Sequence, residues 1–334
     1  MRTLRRWWPL IAPSLLVVAI SVVSQLASAA TQRQIRSVLV TAAIVVALYV
    51  FIGNSGVISF GHISFVAVGA LAAGLATAPA DVKPTTFPDL LPILADLEIG
   101  NLPSLLLAAV VGGLFAFLTG IPLMRLSGLS AGIATFAVLI ITNNVFRNWE
   151  AIGPGAKTLS LIPQTTGFIQ ATVGLILVMA IAFAYQLSPP GRRLRATRED
   201  PLVAGSSGID VHRERLWAFT LSGVLAGFAG GLLVHLLGSI TTDQVFLDLT
   251  FITLAMLVVG GVGSLWGALL GALTVAGLNS VLAEATRGIT IGSIDLELPG
   301  GIRLLVLGLL MLLVLLLKPA GLTNSRELRW PPGP

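Results

Sequence analysis

The segment GRRLRATREDPLVAGSSGIDVHRERLWAFTLSGVLAGFAGGL, residues 191–232, joins a strongly charged stretch directly to a long apolar one. Ten of its first 26 residues carry a charge, although the whole chain has only 20 basic and 15 acidic residues. The apolar part continues to residue 237, a length that can cross a bilayer as a helix. The segment therefore indicates a membrane protein whose charges are concentrated outside the hydrocarbon.

The composition of the 334-residue chain supports this class. Hydrophobic residues make up 55% of the sequence and charged residues 10%, whereas soluble domains carry about 25% charged residues. The absence of cysteine excludes disulfides, thiol nucleophiles and cysteine metal sites. The net charge of +5 fits the enrichment of Lys and Arg in cytoplasmic loops better than a nucleic-acid surface.

Apolar segments long enough to be spans recur along the chain, and they predict an all-α polytopic membrane protein in one domain, residues 1–334. About ten transmembrane or re-entrant helices are expected. The second and third segments are nearly continuous, and so are the eighth and ninth. Either pair can therefore include a re-entrant segment. The predicted segments are 9–30, 37–52, 57–78, 103–124, 127–146, 170–187, 216–237, 248–262, 264–283 and 302–318.

The N-terminal stretch MRTLRRWWPLIAPSLLVVAISVVSQLASAA, residues 1–30, allows two interpretations. Basic residues, an apolar run and the small residues Ala27-Ser28-Ala29 are typical of a cleavable signal peptide. The apolar run from about Leu10 to Ala30 is also long enough to span a bilayer. We favour an uncleaved first span because more spans follow it.

The charges predict the orientation. With the N-terminus inside and the spans alternating, 13 basic residues fall inside and 7 outside, while 5 acidic residues fall inside and 10 outside. This distribution follows the positive-inside rule and places both termini in the cytoplasm. It also predicts an external loop at 78–102, a cytoplasmic loop at 188–215 and a cytoplasmic tail at 319–334. A short interfacial helix is possible within the proline-rich external loop.

The cytoplasmic loop contains more than topology requires. Pro189, Pro190 and Gly191 are expected to end the preceding helix, and Pro201 suits the first turn of a new short helix. Gly205 and Gly208 can break or cap that helix. Four residues could form one apolar face near the membrane surface: Leu194, Thr197, Leu202 and Val203. We therefore prefer a structured docking element to a loop that only determines topology.

The stretch GNSGVISFGHISFVAVGA, residues 53–70, combines glycines with polar residues at predicted membrane depth. This combination predicts a broken or re-entrant helix, because irregular backbone there must be buried in protein or line a water-filled path. A polar packing break is the other interpretation. The candidate translocation-path residues are Asn54, Ser55, Ser59, Gly61, His62 and Ser64. For His62 and His235, a hydrogen-bonded packing role is favoured over a proton relay.

Glycines also recur at helical spacing. In each of two sets, the glycines lie four residues apart on one helix face. This pattern lets helix backbones approach closely in lipid. Ordinary helix packing is the favoured interpretation, and a subunit interface or a sliding seam is the alternative. The sets are Gly223, Gly227 and Gly231, and Gly263, Gly267 and Gly271.

Catalytic and energy-coupling motifs are absent from the sequence. GPGAKT, residues 153–158, lacks the glycine that a phosphate-binding loop requires directly before its lysine, because Ala156 stands there. The predicted spans contain almost no charged residues, which disfavours a proton- or sodium-coupled transporter. The expected protein is therefore a transport subunit without enzyme activity, cofactor or metal, and a membrane-embedded enzyme is disfavoured.

Three stretches resemble the branched-chain amino acid ABC importer permeases of the LivM and LivH type. They are residues 191–232, GVISFGHISFVAVGA and VVGGVGSLWGALLGA (258–272). In the first, the matching residues are Gly191, Arg192, Ala196, Arg198, Glu199, Asp200, Ala204, Gly208 and Ile209. The loop at 147–163 resembles the family's glycine-rich external loop only loosely, so no substrate role is assigned to it.

The resemblance implies an inner-membrane permease subunit. Its implied partners are a second, similar permease subunit, two cytoplasmic ATPases that hydrolyse the ATP, and an external solute-binding protein. The charged loop would then be the ATPase-coupling element, carried by Gly191, Arg192, Arg195, Arg198, Glu199, Asp200, Pro201 and Gly208. Branched-chain amino acids are the expected substrates. Urea or short amides remain an alternative, as does a stand-alone secondary transporter.

Overall fold

The computed structural model describes residues 2–81, 83–153, 155, 157–285, 289–291, 294–296 and 302–328. These residues form α-helices with one pair of short antiparallel strands near the C-terminal end. The elements are α1 (Arg2–Ser24), α2 (Ala29–Ser55), α3 (His62–Thr77), α4 (Lys83–Thr86), α5 (Pro92–Ala95), α6 (Asn101–Leu123), α7 (Gly128–Asn148), α8 (Phe168–Leu187), α9 (Pro189–Glu199), α10 (Pro201–Ser206), α11 (Val211–Leu237), α12 (Leu247–Gly260), α13 (Leu265–Ala285), β1 (Ile289–Ile291), β2 (Ile294–Leu296) and α14 (Ile302–Leu317); a 3-10 turn at Thr242–Val245 precedes α12.

The protein is an all-α polytopic membrane protein, and each of the ten predicted apolar segments lies on a helix. Among the described residues, eight helices are long and apolar enough to cross a membrane: α1, α2, α6, α7, α8, α11, α12 with its preceding turn, and α13. Helix α3 is apolar but has only 16 residues, and α14 also has 16.

The first two predicted segments have the wrong boundaries. Helix α1 ends at Ser24 rather than near residue 30, and α2 begins at Ala29 rather than 37. The reason is a helix cap that the hydropathy pattern does not show, since the Ser28 side chain accepts a hydrogen bond from the Thr31 N–H at 3.3 Å. The resulting α2 has 27 residues, and nearly all of those from Leu39 to Ser55 are buried.

Helix α11 packs on α6 and α3 through its glycines. A Cβ added at Gly227 would contact the carbonyl oxygen of Ala108 and lie 3.0 Å from the Cα of Gly112. Gly223 faces Ala116, and Gly231 faces Leu105, both on α6. The α11 face that carries the first predicted glycine set therefore brings two helix backbones into direct contact, as small residues do in membrane proteins.

The second glycine set does not lie on one helix face: Gly263 is in the turn between α12 and α13, and Gly267 and Gly271 are inside α13. Gly261 has a φ of +117°, a backbone conformation that strongly favours glycine. Gly267 and Gly271 pack on Gly261 and on the carbonyl of Met256, and Gly263 contacts Ser325 of the C-terminal tail. The nearly continuous apolar pair at 248–283 is thus two helices joined by a tight turn.

The external loop predicted at 78–102 contains two one-turn helices, α4 and α5. The buried Lys83 anchors the loop, because its Nζ donates to the backbone carbonyls of Leu94 and Leu97. Burial lowers the pKa of the Lys83 ammonium, and the nearby carboxylates of Glu98 and Asp96 oppose that shift. The loop is also bound to α3, because the Ile99 N–H donates to the Ala76 carbonyl at 2.8 Å.

Replacing Gly227 with alanine should destabilise the protein, because the new methyl group has no space beside the Ala108 carbonyl. Overpacking of this kind costs about 1–3 kcal/mol. We expect a lower melting temperature in detergent for Gly227→Ala. Gly277→Ala is the matched control, since no atom of the described residues lies within 4 Å of a Cβ at that position. Equal melting temperatures for the two variants would contradict close packing of α11 on α6.

Candidate functional site

The charged loop forms two short helices with side-chain caps. Ser188 accepts a hydrogen bond from the Gly191 N–H at 3.2 Å at the start of α9. Asp200 accepts from the N–H groups of Leu202 and Val203, at 2.8 and 3.1 Å, at the start of α10. Pro201 occupies the first turn of α10, as predicted from its missing N–H donor. The loop is therefore an ordered helix pair.

The predicted apolar face of this loop is wrong in half of its residues. Leu194 and Thr197 on α9 are fully buried, but Leu202 and Val203 on α10 are 86% and 60% exposed. The break at Asp200 separates the two helices, so the four residues do not share one helix face. Pro189 and Pro190 also begin α9 instead of only ending α8, and Gly191 lies inside α9.

Two arginines of α9 bind the end of α2. Arg195 donates through Nε to Asn54 Oδ1 at 2.7 Å and through Nη2 to the Tyr49 hydroxyl at 2.9 Å. Arg198 donates through Nη1 to the Gly53 carbonyl at 2.6 Å. Hydrogen bonds from a guanidinium are strong because the donor is charged. The loop predicted to be cytoplasmic is thus fixed to the C-terminal end of the most buried helix.

The network continues from Tyr49 to the C-terminal tail. The buried Tyr49 hydroxyl donates to Gln186 Oε1 at 3.0 Å and lies 3.4 Å from Glu327 Oε1. Gln186 Nε2 donates to the same Glu327 oxygen at 3.2 Å. That oxygen also accepts from the Leu265 N–H at 2.8 Å, where a carboxylate is favoured by the N-terminus of α13. One carboxylate therefore joins the tail to α2, α8 and α13.

The tail is also tied to the α12–α13 turn by its backbone. The N–H of Leu322 donates to the Val259 carbonyl at 2.8 Å. The Thr323 hydroxyl donates to the Gly260 carbonyl at 2.9 Å, and Ser325 Oγ accepts from the Gly263 N–H at 3.3 Å. The loop and the tail, both predicted to be cytoplasmic, consequently meet at one end of the bundle. We call the set Arg195, Tyr49, Gln186 and Glu327 the tail network.

The remaining predicted loop residues face outward. Arg192, Glu199 and Asp200 are exposed, and the side chains of Arg192 and Glu199 make no hydrogen bond or ion pair with the described part of the chain. Gly208 ends the helix pair with a φ of +83°. Arg193, which the sequence did not single out, pairs with Glu214 at 3.0 Å. The loop thus has one side bound to the bundle and another available to a partner.

The polar stretch at 53–70 is a break between α2 and α3. Gly56 ends α2 with a φ of +70°, and the chain is not helical again until His62. The predicted path side chains are buried, and Asn54 holds Arg195. Gly61 packs against the Thr135 backbone, and Ser64 Oγ has no hydrogen-bond partner in the described residues. The Ser55 hydroxyl accepts from the Val57 N–H at 3.1 Å.

Both membrane histidines are packed within the protein. His62 Nδ1 lies 2.8 Å from Ser59 Oγ, and its ring is surrounded by Phe51, Phe65 and Phe219. His235 bonds Ser104 Oγ at 2.9 Å and the Pro163 carbonyl at 3.2 Å. These contacts support a packing role for both residues.

Sequence reasoning missed Tyr49, Gln186 and Glu327. Tyr49 and Gln186 are polar residues near the end of an apolar segment, which is a weak signal, whereas Glu327 lies within the tail and has no such signal. Their pairing could not be read from the sequence because Tyr49 lies 137 residues before Gln186 and 278 residues before Glu327.

The family described as "Branched-chain amino acid transport system / permease component" matches residues 12–315. The chain is 26% identical over 309 residues to LivM of Salmonella typhimurium, a high-affinity branched-chain amino acid transport system permease protein. The alignment covers 82% of this chain and 65% of that relative. The chain thus spans just under two thirds of the length of LivM.

Two further relatives have other origins. The probable branched-chain amino acid transport permease protein LivH of Methanocaldococcus jannaschii is 29% identical over 246 residues, covering 67% of this chain and 74% of the relative. The autoinducer 2 import system permease protein LsrC of an Enterobacter strain is 27% identical over 195 residues, covering 54% of this chain and 55% of the relative. The relatives are all permeases, and their named solutes differ.

Replacing Glu327 with alanine should loosen the helix pair α9–α10. The substitution leaves Gln186 and the Leu265 N–H without their acceptor, which costs about 1–3 kcal/mol. We expect a lower melting temperature and faster amide hydrogen exchange in α9. Glu199→Ala is the matched control, because that carboxylate is exposed.

The contribution of Tyr49 can be separated by a double-mutant cycle. Because the two side chains belong to one network, Tyr49→Phe and Glu327→Ala should together destabilise the protein by less than the sum of the single variants. Strictly additive melting-temperature changes, or identical behaviour of Glu327→Ala and Glu199→Ala, would show that the tail network does not hold the loop.

Proposed function

This chain belongs to the branched-chain amino acid transport permease family, whose members are permease components of ABC transport systems, and from that premise we propose that it is a membrane subunit of an ATP-driven importer for branched-chain amino acids. The observation that carries the proposal is the ordered helix pair α9–α10, which is bound to the bundle on one side and exposed on the other. Its proposed partners are a second permease subunit, two cytoplasmic ATPases and an external solute-binding protein.

The exposed side of α10 supports docking of an ATPase. Leu202 and Val203 are exposed apolar side chains that follow the exposed charged residues Glu199 and Asp200 in the sequence. Exposed apolar side chains bordered by polar groups are typical of protein contact sites. A partner that covers these two residues would bind the loop where it is rigid.

The arginines supply the mechanical connection in this proposal. Arg195 and Arg198 attach α9 to the end of α2, so a displacement of the helix pair by a partner would act on α2. The tail network connects the same point to α8 and α13. Packed elements that move as rigid bodies can transmit such a displacement across a protein.

The substrate class rests on similarity. LivM and LivH are named for branched-chain amino acid transport, while LsrC is named for autoinducer 2 import. The fold and the coupling loop would serve either solute. We propose branched-chain amino acids because the LivM and LivH alignments extend over more of the chain.

The docking proposal predicts that Leu202→Asp combined with Val203→Asp will sharply reduce co-purification of the ATPase subunits. The two carboxylates would have to be desolvated in an apolar contact. Solute-stimulated ATPase activity of the reconstituted complex should fall together with the co-purification of the ATPase subunits. Leu126→Asp is the control, since Leu126 is exposed on a different loop that is predicted to be cytoplasmic.

Transport itself provides the second measurement. Proteoliposomes that contain this chain with its co-purifying subunits should accumulate labelled leucine only when ATP is supplied on the ATPase side. Accumulation by this chain alone, driven by an ion gradient without ATP, would show instead that it is a secondary transporter.

A further inference from the structure

A cavity of about 630 Å³ lies between α2, α12, α13 and α14. Its size falls within the range of about 300–1,000 Å³ that is typical of small-molecule sites. Most of the lining is aliphatic, including Val38, Ile252 and Met256. Six polar side chains also line it: Ser37, Thr41, Gln244, Asp248, Asn279 and Ser280. None of the predicted path residues at 53–64 lines this cavity.

The cavity hydroxyls lack the backbone partner that many helix hydroxyls have. Several hydroxyls elsewhere donate to the carbonyl four residues earlier, as Thr220, Thr250 and Thr253 do at 2.9, 2.8 and 2.7 Å. Within the described residues, the hydroxyls of Ser37 and Thr41 make no such bond, although they lie four residues apart on one face of α2.

Two further cavity groups also lack protein partners. Asn279 Oδ1 is buried and has no hydrogen-bond partner in the described residues. Asp248 is exposed in the first turn of α12 and forms neither an ion pair nor a side-chain hydrogen bond with the described part of the chain. The buried Asn279 oxygen and the half-buried hydroxyls of Ser37 and Thr41 are costly at membrane depth unless they face water or a ligand. Together with the free carboxylate of Asp248, they point to an occupant with complementary polar groups.

The arrangement of these groups defines the chemistry of that occupant. Asp248 is an unpaired anion in the first turn of α12 and suits an ammonium group. The hydroxyls of Ser37 and Thr41 can donate hydrogen bonds to a carboxylate, and the unpaired Asn279 Oδ1 can accept one from an N–H group. The aliphatic lining suits a branched hydrocarbon side chain. We propose that this cavity is a binding station for a zwitterionic amino acid with an aliphatic side chain, with Asp248 as the ammonium ligand.

The position of the cavity fits a station on a transport route. It extends along α12 from Asp248 to Val259, which is about 16 Å at 1.5 Å per residue. The Val259 carbonyl is the group that binds the C-terminal tail through the Leu322 N–H. One end of the cavity thus lies at the end of α12 predicted to be external, and the other lies beside the tail that is linked to the coupling loop.

This proposal rests on the proposed function and names the solute site within this chain. The experiment uses cysteine accessibility, because the chain contains no native cysteine. Thr41→Cys and Ser280→Cys place a thiol in the cavity, and Val281→Cys is the matched control. Val281 is 64% exposed, neighbours Ser280 and does not line the cavity. Each full-length variant is reconstituted in proteoliposomes with its co-purifying subunits, without ATP.

A charged, water-soluble methanethiosulfonate reagent should modify Thr41→Cys and Ser280→Cys but not Val281→Cys. Millimolar leucine should slow modification of the cavity thiols severalfold, whereas 4-methylpentanoate, which lacks the ammonium group, should not. Adding Asp248→Asn should weaken the protection by leucine about tenfold, as expected for the loss of one charge-assisted hydrogen bond. Asp248→Glu should retain most of the protection.

Three results would overturn the proposal. Modification only by a lipid-soluble maleimide would show that lipid fills the cavity. Modification that leucine does not slow would show a space that holds only water. Full protection of the cavity thiols by leucine in the Asp248→Asn variants would show that Asp248 is not the ammonium ligand. ATP-driven leucine uptake combined with no protection would reject this site alone, and leucine protection without ATP-driven uptake would reject the importer assignment alone.

Discussion

The burial of α2 is the constraint on which the rest of the structure depends. Nearly every residue from Leu39 to Ser55 is enclosed by protein, and a helix that is apolar on all sides needs neighbours on all sides. Helices α8, α11, α12 and α13 supply those neighbours. As a result, α2 reaches both sites described above, with Ser37 and Thr41 in the cavity and Tyr49, Gly53 and Asn54 at the coupling loop.

Close helix packing makes this enclosure possible. The glycines of α11 allow its backbone to touch α6, and Gly69 of α3 packs against Gly227 from another direction. Lipid provides little hydrophobic driving force between helices, so tight van der Waals contact and hydrogen bonding have to hold them together. The same principle applies at the α12–α13 turn, where Gly260, Gly267 and Gly271 bring two backbones together and leave space for the tail to bind.

The tail network makes one end of the bundle a single mechanical unit. Glu327 accepts hydrogen bonds from a backbone N–H of α13 and from Gln186, and it lies next to Tyr49, which in turn accepts from Arg195. A buried polar network is rigid when its groups are satisfied, because breaking any member leaves another unpaired in a low dielectric. The helix pair α9–α10 is therefore held by more than its covalent links to the flanking helices. It is bound to three helices and the tail, and through Val259 the tail contacts one end of the cavity.

The sequence alone determined the class of fold, the approximate position of every long helix and the identity of the charged loop as a structured element. These features follow from local properties: the length of apolar runs, the missing N–H of Pro201 and the conformational freedom of glycine. Tertiary structure decided what the polar residues do. Arg195 and Arg198 carry the same charge as Arg192, but only the fold turns them toward α2. The distinction between the buried Leu194 and the exposed Leu202 depends on the break at Asp200. The partners of Glu327 and the groups around the cavity come together from segments far apart in the sequence, because contacts between helices depend on packing in three dimensions and not on the composition of any one helix.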